Sequence, residues 1–326
     1  MAQPERSRVY QNHHLDSTRW DQIALRPSDI VISTAYKAGT TLTQMIVGNL
    51  VFWGQPMPDV LLHASPWIEM RRRPIQEIRE TLEAQTHRRF LKSHVGLDGI
   101  PYREDVSYLY VGRDPRDVFV SLWNHYSNHV PEFFAELNGL PGRVGEPFPP
   151  CPNDIHELWS SWITRGWFEW ENDGYPYWSL LHHAQSWWEH RTLRNLLCVH
   201  YSDLLRDLEG EIRRIASFLA IERSDEAFAE ITQACRFETA KKNAKRIVGD
   251  MRLSFRDGNQ TFFHRGTNGR WKDILTSEDL TLYRKAMKRL PSDLAGWLEN
   301  GAAGRESPER RGLEREGLLC RQRSST

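Results

Sequence analysis

The chain has 326 residues, with 43 Lys and Arg balanced by 43 Asp and Glu. That balance removes a global field for nucleic acid or an anionic lipid surface. The four cysteines, Cys151, Cys198, Cys235 and Cys320, show no CxxC pairing, so neither a disulfide scaffold nor a zinc site is signalled and no metal is expected. The start, MAQPERSRVYQNHH, has no apolar leader, and no run approaches the roughly 18 apolar residues of a membrane span, so a soluble cytoplasmic protein is expected.

In chain order, residues 1–28 read as a polar lead-in ending in Arg26–Pro27–Ser28. Ile30–Ile32 is a β-branched run suited to a buried strand. A loop with Lys37, Ala38, Gly39, Thr40 and Thr41 follows, and then Leu42, Met45, Ile46 and Leu50 recur at helical spacing. Strand, short loop and helix start aim free N–H groups and a positive helix end at one point, which suits an anion. An ordinary βα turn with a surface lysine fits the same residues, and no GxxxxGK[ST] motif is present. Trp53–Pro66 reads as loop. Pro66–Gln85 reads as a helix with an exposed Arg71–Arg73 face. Arg89–Ser93 is a second strand, with His94 at its carboxyl end and Lys92 on the same face as His94.

Ser107–Val111 is a third strand. Arg113 follows it, Asp114 and Pro115 are a good N-cap and first helical residue, and Ser121 lies two turns into the helix that continues to Tyr126. Asn128–Trp178 is rich in Pro, Gly and Trp and reads as an irregular insertion or lid with one short helix near Ile155–Phe168. Its Trp159, Trp162, Trp167 and Trp170 fit either a core or the wall of a pocket. Leu180–Arg194 is helical, and Leu196–His200 is a fourth strand ending at Tyr201. Helices follow around Ile212–Leu219 and over Glu226–Cys235. Ala240–Phe263 reads as basic and then loop-like, His264–Lys272 as glycine-rich and positive, and Leu280–Leu290 as a last helix. Residues 1–300 are taken as one domain and the tail from Gly301 as disordered. His125 with His129, and the pair His182–His183, are expected to be solvated. Alternation of strands and helices implies a parallel sheet in an α/β fold, with ligands beyond its carboxyl edge, where Lys37, His94, Arg113 and Tyr201 fall.

Four blocks now carry a resemblance. YKAGTTLTQ (36–44), FLKSHVGLDGIPY (90–102), YVGRDPRDVFVSLWNHY (110–126) and FFHRGTNGRWK (262–272) resemble, in order, the signature segments of the cytosolic-type sulfotransferases. These enzymes move a sulfuryl group from 3′-phosphoadenylyl sulfate (PAPS) to a hydroxyl or amine. The pattern also resembles bacterial members acting on glycolipids. The resemblance implies a three-layer P-loop-like fold and an adenosine 3′,5′-bisphosphate product. It implies that Lys37, Ala38, Gly39, Thr40, Thr41 and Leu42 cradle the 5′ end. It places Arg113, Ser121, His264, Arg265 and Gly266 on the 3′-phosphate, with Arg113 gripping it bidentately, and Tyr201 and Phe237 at the adenine. It assigns His94 as general base at an ordinary pKa near 6.5, with Lys37 and Lys92 as catalytic charges.

The chain departs from the family pattern in five places. Tyr36 stands for a proline, Ala38 for a serine, Leu42 for a stacking tryptophan, Cys235 for a threonine and His264 for an arginine. The dimer-forming motif is only partly present after Trp271–Lys272, so a homodimer is left open. The acceptor is expected to be a small aromatic or lipid-like hydroxyl compound. A P-loop-type kinase and a non-catalytic nucleotide-binding protein are the alternatives. The first lacks a Walker lysine and an evident Mg²⁺ carboxylate, whereas the second would show a broken base, and His94 and Lys37 are both in place.

Overall fold

A computed structural model describes residues 3–305. Strands β1 (Ile30–Thr34), β2 (Phe90–Ser93), β3 (Ser107–Gly112) and β4 (Leu196–His200) form one parallel sheet in the order β2-β1-β3-β4. Ser33 lies opposite Ser93, Thr34 opposite Val111 and Gly112 opposite His200, so all four carboxyl ends reach one edge. All five residues of β1 are buried, as expected of a parallel strand covered on both faces.

The period-2 alternation of the strands divides the core in two. Ile30, Ile32, Phe90, Leu109, Val111 and Val199 face helices Thr40–Phe52, Leu208–Phe218 and Asp225–Cys235. Val31, Leu91, Tyr108, Tyr110 and Cys198 face the aromatic-rich layer built from helices Pro115–Tyr126, Ile155–Thr164, Leu180–Trp188 and Ser292–Asn300. Tyr110 stacks on Trp187 with centroids 6.0 Å apart. Gly112 is required because a Cβ there would lie 2.4 Å from the Trp297 ring.

Several expected boundaries move, each for a local reason. The helix expected over Pro66–Gln85 is confined to Ile75–Glu83, starting after Pro74, while Trp67 forms a β-bridge beside Lys92. Arg71–Arg73 is not an exposed face. Arg71 donates to the carbonyls of His13, Leu140 and Pro141, and Arg72 to Glu136 and Ser254. The stretch Trp53–Pro66 contains a helical turn, Leu61–Ala64. The insertion holds two helices, Pro131–Gly139 and Ile155–Thr164. The helix beginning at Leu180 stops at Trp188. Ala240–Phe263 is more helical than expected, with short helices at Ala244–Val248 and Asn259–Phe262. Ser292–Asn300 is a further helix, burying Leu294, Trp297 and Leu298.

The N-terminal lead-in is also part of the core. Tyr10, Asn12, His13, His14 and Trp20 are buried, and most of their polar groups find partners: the Tyr10 hydroxyl meets Asp98, and Asn12 Oδ1 accepts from the His14 and Leu15 amides. The expected disordered tail lies outside the described residues except for Gly301–Arg305, which form a 3-10 turn.

Candidate active site

At the shared carboxyl edge, the loop after β1 delivers the helix Thr40–Phe52 with Gly39 as its N-cap and no side-chain capping bond. Its first-turn N–H groups are therefore left for a ligand. Gly39 is at φ 118°, and a Cβ there would lie 2.8 Å from the Tyr201 ring, so only glycine lets that ring lie against the loop. Lys37 is itself left-handed at φ 61°, a conformation a side-chain-bearing residue holds only under constraint from its surroundings. The constraint is visible: its carbonyl accepts from Arg113 Nη1 at 2.9 Å. The Lys37 ammonium is 3.2 Å from His125 Nδ1 and lies over the Phe262 ring. Burial, then Arg113 and Lys92, pull its pKa down to about 7.

Arg113 is the tie between three segments. Besides Lys37, it donates from Nη2 to the Thr267 carbonyl at 3.1 Å, and from Nε and Nη2 to Asn268 Oδ1, while lying over the Tyr201 ring at 4.2 Å. Four of the five guanidinium N–H groups are thus committed to protein, and one remains for an anion. The expected bidentate grip is not available in this arrangement unless Asn268 or a carbonyl yields.

His94 follows β2 and donates from Nδ1 to the Thr34 carbonyl at 2.7 Å. That bond assigns the proton to Nδ1 and leaves Nε2 with its lone pair. Thr34 also bonds Thr40 through its hydroxyl, so one residue couples the anion loop to the histidine. Trp67 meets the imidazole edge-on at 4.7 Å, and Trp178 Nε1 donates to the His94 carbonyl at 2.6 Å. The expected ordinary pKa is corrected: burial, then Lys92, His183 and Lys37, hold this imidazole well below 6.5 and keep it neutral at physiological pH. Lys92 lies 4.7 Å from the Trp67 centroid, and burial lowers it to about 8 against the opposing pull of Glu69. Burial of this kind is uncommon for a merely solvated lysine.

Lys37, Gly39, Thr40, Thr41, Leu42, Lys92, His94, Arg113, Ser121, Tyr201, Phe237, His264, Arg265 and Gly266 all line one cavity of about 700 Å³. Ala38 does not: it is buried, and its amide donates to the Ala35 carbonyl. Gly266 approaches so closely that a Cβ would lie 2.4 Å from the Phe237 ring. His264 and Arg265 are exposed at the mouth, and burial, Arg270 and Arg265 depress the His264 pKa.

Sequence reasoning missed Asn268 and Arg270 on the glycine-rich segment, and His125 and Trp67. His125 and His129 are not solvated. His125 lines the cavity, and His129 stacks on Phe133 at 3.9 Å and bonds the Ser254 carbonyl. His183 is buried and bonds Ser33, and His182 bonds Asp98. The i, i+4 spacing of His125 and His129 suggested one helix face, but the helix ends at Tyr126 and His129 lies beyond it, bridged to Phe255. Nothing in the sequence said which face met the cavity.

Much of the remaining wall is aromatic, with Tyr36, Trp67, Phe133, Tyr177, Phe255 and Phe262 lining it beside aliphatic and polar residues that include Arg72 and Asp117. The insertion therefore contributes wall residues, but not through the tryptophan cluster. Trp159 and Trp162 are fully buried core residues, and neither they nor Trp167 and Trp170 reach the cavity. No group of three or more metal-ligating side chains occurs among the described residues. No described helix is long and apolar enough to cross a membrane.

Fold and cavity first define a class, an α/β protein whose parallel sheet ends at an uncapped helix start in a cation-lined cavity beside a buried neutral histidine. A family model described as a sulfotransferase domain matches residues 27–297. A glycolipid sulfotransferase of Mycobacterium bovis is 33% identical over 311 residues, covering 91% of this chain and 95% of that protein. Human sulfotransferase 1C2 is 27% identical over 270 residues, covering 79% and 82%. A mouse sulfotransferase, SULT7A1, solved in complex with PAP, shares the fold with a TM-score of 0.62 at 20% identity, covering 89% of this chain and 91% of that one. The chain belongs to the sulfotransferase family and is a transferase of that class.

Proposed function

We propose that the protein transfers the sulfuryl group of PAPS to a hydroxyl of an aromatic or lipid-like small molecule, with His94 as general base. The observation that carries this reading is the Thr34 junction, which holds the uncapped helix start at Thr40 and the imidazole of His94 at one sheet edge. The residues fit such a donor. The cavity is of ligand size, the cradle is cationic at Lys37, Arg113, Arg265 and Arg270, and Ser121 faces it. PAPS supplies an activated sulfuryl group and a bisphosphate leaving group.

His94 Nε2 accepts the acceptor's hydroxyl proton. Lys37 stabilises the charge that grows on the leaving oxygen, and Lys92 adds a second charge beside the transferring group. A bound anion offsets the burial penalty on Lys37 and favours its ammonium. Arg113, Ser121, His264, Arg265 and Gly266 take the 3′-phosphate, Thr40, Thr41 and the main chain of 39–42 the 5′ end, and Tyr201 and Phe237 the adenine. The 33% identity to a glycolipid sulfotransferase supports an acceptor with a lipid or sugar-lipid character. Residues 1–300 are read as one catalytic domain whose segment 128–178 belongs to the acceptor side.

Transfer of labelled sulfate from PAPS to a panel of hydroxyl compounds, detected by mass shift, tests the reading. Product is expected from PAPS and none from ATP. Phosphoryl transfer from ATP, or no binding of adenosine 3′,5′-bisphosphate in calorimetry, would overturn it.

A further inference from the structure

We propose that His125 is the positioning residue for Lys37: its Nδ1 lone pair accepts the lysine's N–H, fixing where the ammonium points and keeping it charged. The inference rests on the reading of Lys37 above and adds a residue to it. The geometry is specific. Lys37 leaves a left-handed backbone whose carbonyl is locked by Arg113, so only its side chain is free to move. That side chain runs from the donor loop to the aromatic half of the cavity and meets His125 Nδ1 at 3.2 Å. No other hydrogen-bond acceptor reaches the ammonium among the described residues. Phe262 offers it only a ring face at 5.3 Å.

His125 is held in turn. Its ring is 4.6 Å from Phe255 and 5.0 Å from His129, which is itself clamped between Phe133 and Phe255. The groups facing it are Lys37, His129, His14 and, farther off, Lys92, with Phe255 and Phe262 closing the remaining sides. Burial, Lys37 and these neighbours drive His125 well below its ordinary pKa, so it is neutral and has a lone pair to offer. Because Nδ1 accepts, the ring proton is on Nε2.

The chemical need is clear from the two cations beside Lys37. Burial, Arg113 and Lys92 all disfavour its charged form. A hydrogen bond to the charged form opposes them. Without His125, a larger share of Lys37 is neutral at pH 7, and a neutral amine cannot stabilise a leaving anion. The contact also places the ammonium beside the aromatic wall, over the Phe262 ring.

The test uses the full chain carrying 13C at lysine Cε, with the Lys37 signal assigned by its loss in Lys37→Arg. Its titration is followed without donor in wild type, His125→Phe and His125→Asn. Phe keeps the ring and removes the acceptor, whereas Asn carries an amide oxygen near the Nδ1 position. The Lys37 midpoint is expected to fall by about one pH unit in His125→Phe and to recover in His125→Asn. Turnover at pH 7 should fall about fivefold in His125→Phe with the donor KM within twofold, its alkaline limb moving to lower pH in step, and should return in His125→Asn. An unchanged Lys37 titration in a folded His125→Phe, or a shifted titration with an unmoved pH profile, would overturn the proposal. A midpoint that moves as expected while Lys37→Ala retains full turnover would leave the contact standing and remove Lys37 from the chemistry, so the two readings fail separately.

Discussion

The two halves of the cavity are built in different ways. One half, the donor half of the proposed function, comes from strand ends and the few residues after them: Lys37 and Gly39 to Leu42 after β1, His94 after β2, Arg113 after β3 and Tyr201 after β4. Parallel strands in register bring these positions to one edge, and the Arg113 side chain then ties the glycine-rich segment to them. The aromatic half is assembled from distant pieces, with His14, Trp67, Phe133, Tyr177 and Phe255 each arriving on a different segment. Arg72 ties two of those segments by donating to Glu136 and Ser254. The first half is fixed by backbone hydrogen bonding and is suited to a constant ligand. The second is fixed by side-chain packing, where substitution changes shape without disturbing the sheet, and this is where selectivity among acceptors belongs.

Substitutions in the two halves should therefore separate cleanly. The largest effect is expected for His94→Ala, which should cut turnover by about 10²–10⁴ while the affinity for adenosine 3′,5′-bisphosphate stays within a few-fold. Rates from labelled PAPS beside calorimetric titration measure both, and wild-type turnover would remove the base assignment. Arg113→Ala should weaken bisphosphate binding by roughly 10- to 100-fold, since it removes a charge and frees Lys37, Thr267 and Asn268 from their common anchor. Arg113→Lys should not restore it, because an ammonium cannot span those three partners. Unaltered affinity in either variant would detach the glycine-rich segment from the donor half.

Tyr177 tests the other half. Its hydroxyl is buried on the cavity wall with no hydrogen-bond partner among the described residues. Tyr177→Phe should stabilise the protein by about 1 kcal/mol in urea unfolding, by removing an unsatisfied group. It should also raise the acceptor KM without moving the donor KM. A lowered urea midpoint would mean that the hydroxyl is satisfied within the fold.

The smallest effects are protonic. Lys37 sits at about 7 in the folded protein against an ordinary 10.5. Between those values the unfolded chain binds more protons, so this group's penalty is full below pH 7 and fades as pH rises through the window, and stability gains with pH there. Lys37→Met should flatten that slope in urea midpoints taken at about pH 7 and about pH 9. Binding of the bisphosphate should raise both Lys37 and His264 and take up as much as about one proton near pH 8, read from calorimetry in buffers of different ionisation enthalpy. Proton release on binding would contradict the placement of both cations at the anion.

The sequence by itself determined the four strands, the helix starts after β1 and β3, and the placement of Lys37, His94, Arg113 and Tyr201 at the strand ends. Each of these is a local event: a β-branched run, an Asp–Pro cap, a Gly39 turn, and residues stepping off a strand end. Alternation in the strands likewise determined which residues split between the two core layers. Only the tertiary structure decided the rest, because it depends on which distant segments meet. It turned a polar N-terminus into core, carried Arg71 and Arg72 from an apparent surface to an inter-segment tie, and sent Trp159 and Trp162 inward instead of to the cavity. It also lowered His94 and Lys37 from their ordinary pKa values, since burial and neighbouring cations have no signature in a linear string. Pairing of Lys37 with His125, 88 positions apart, belongs to that second kind of fact.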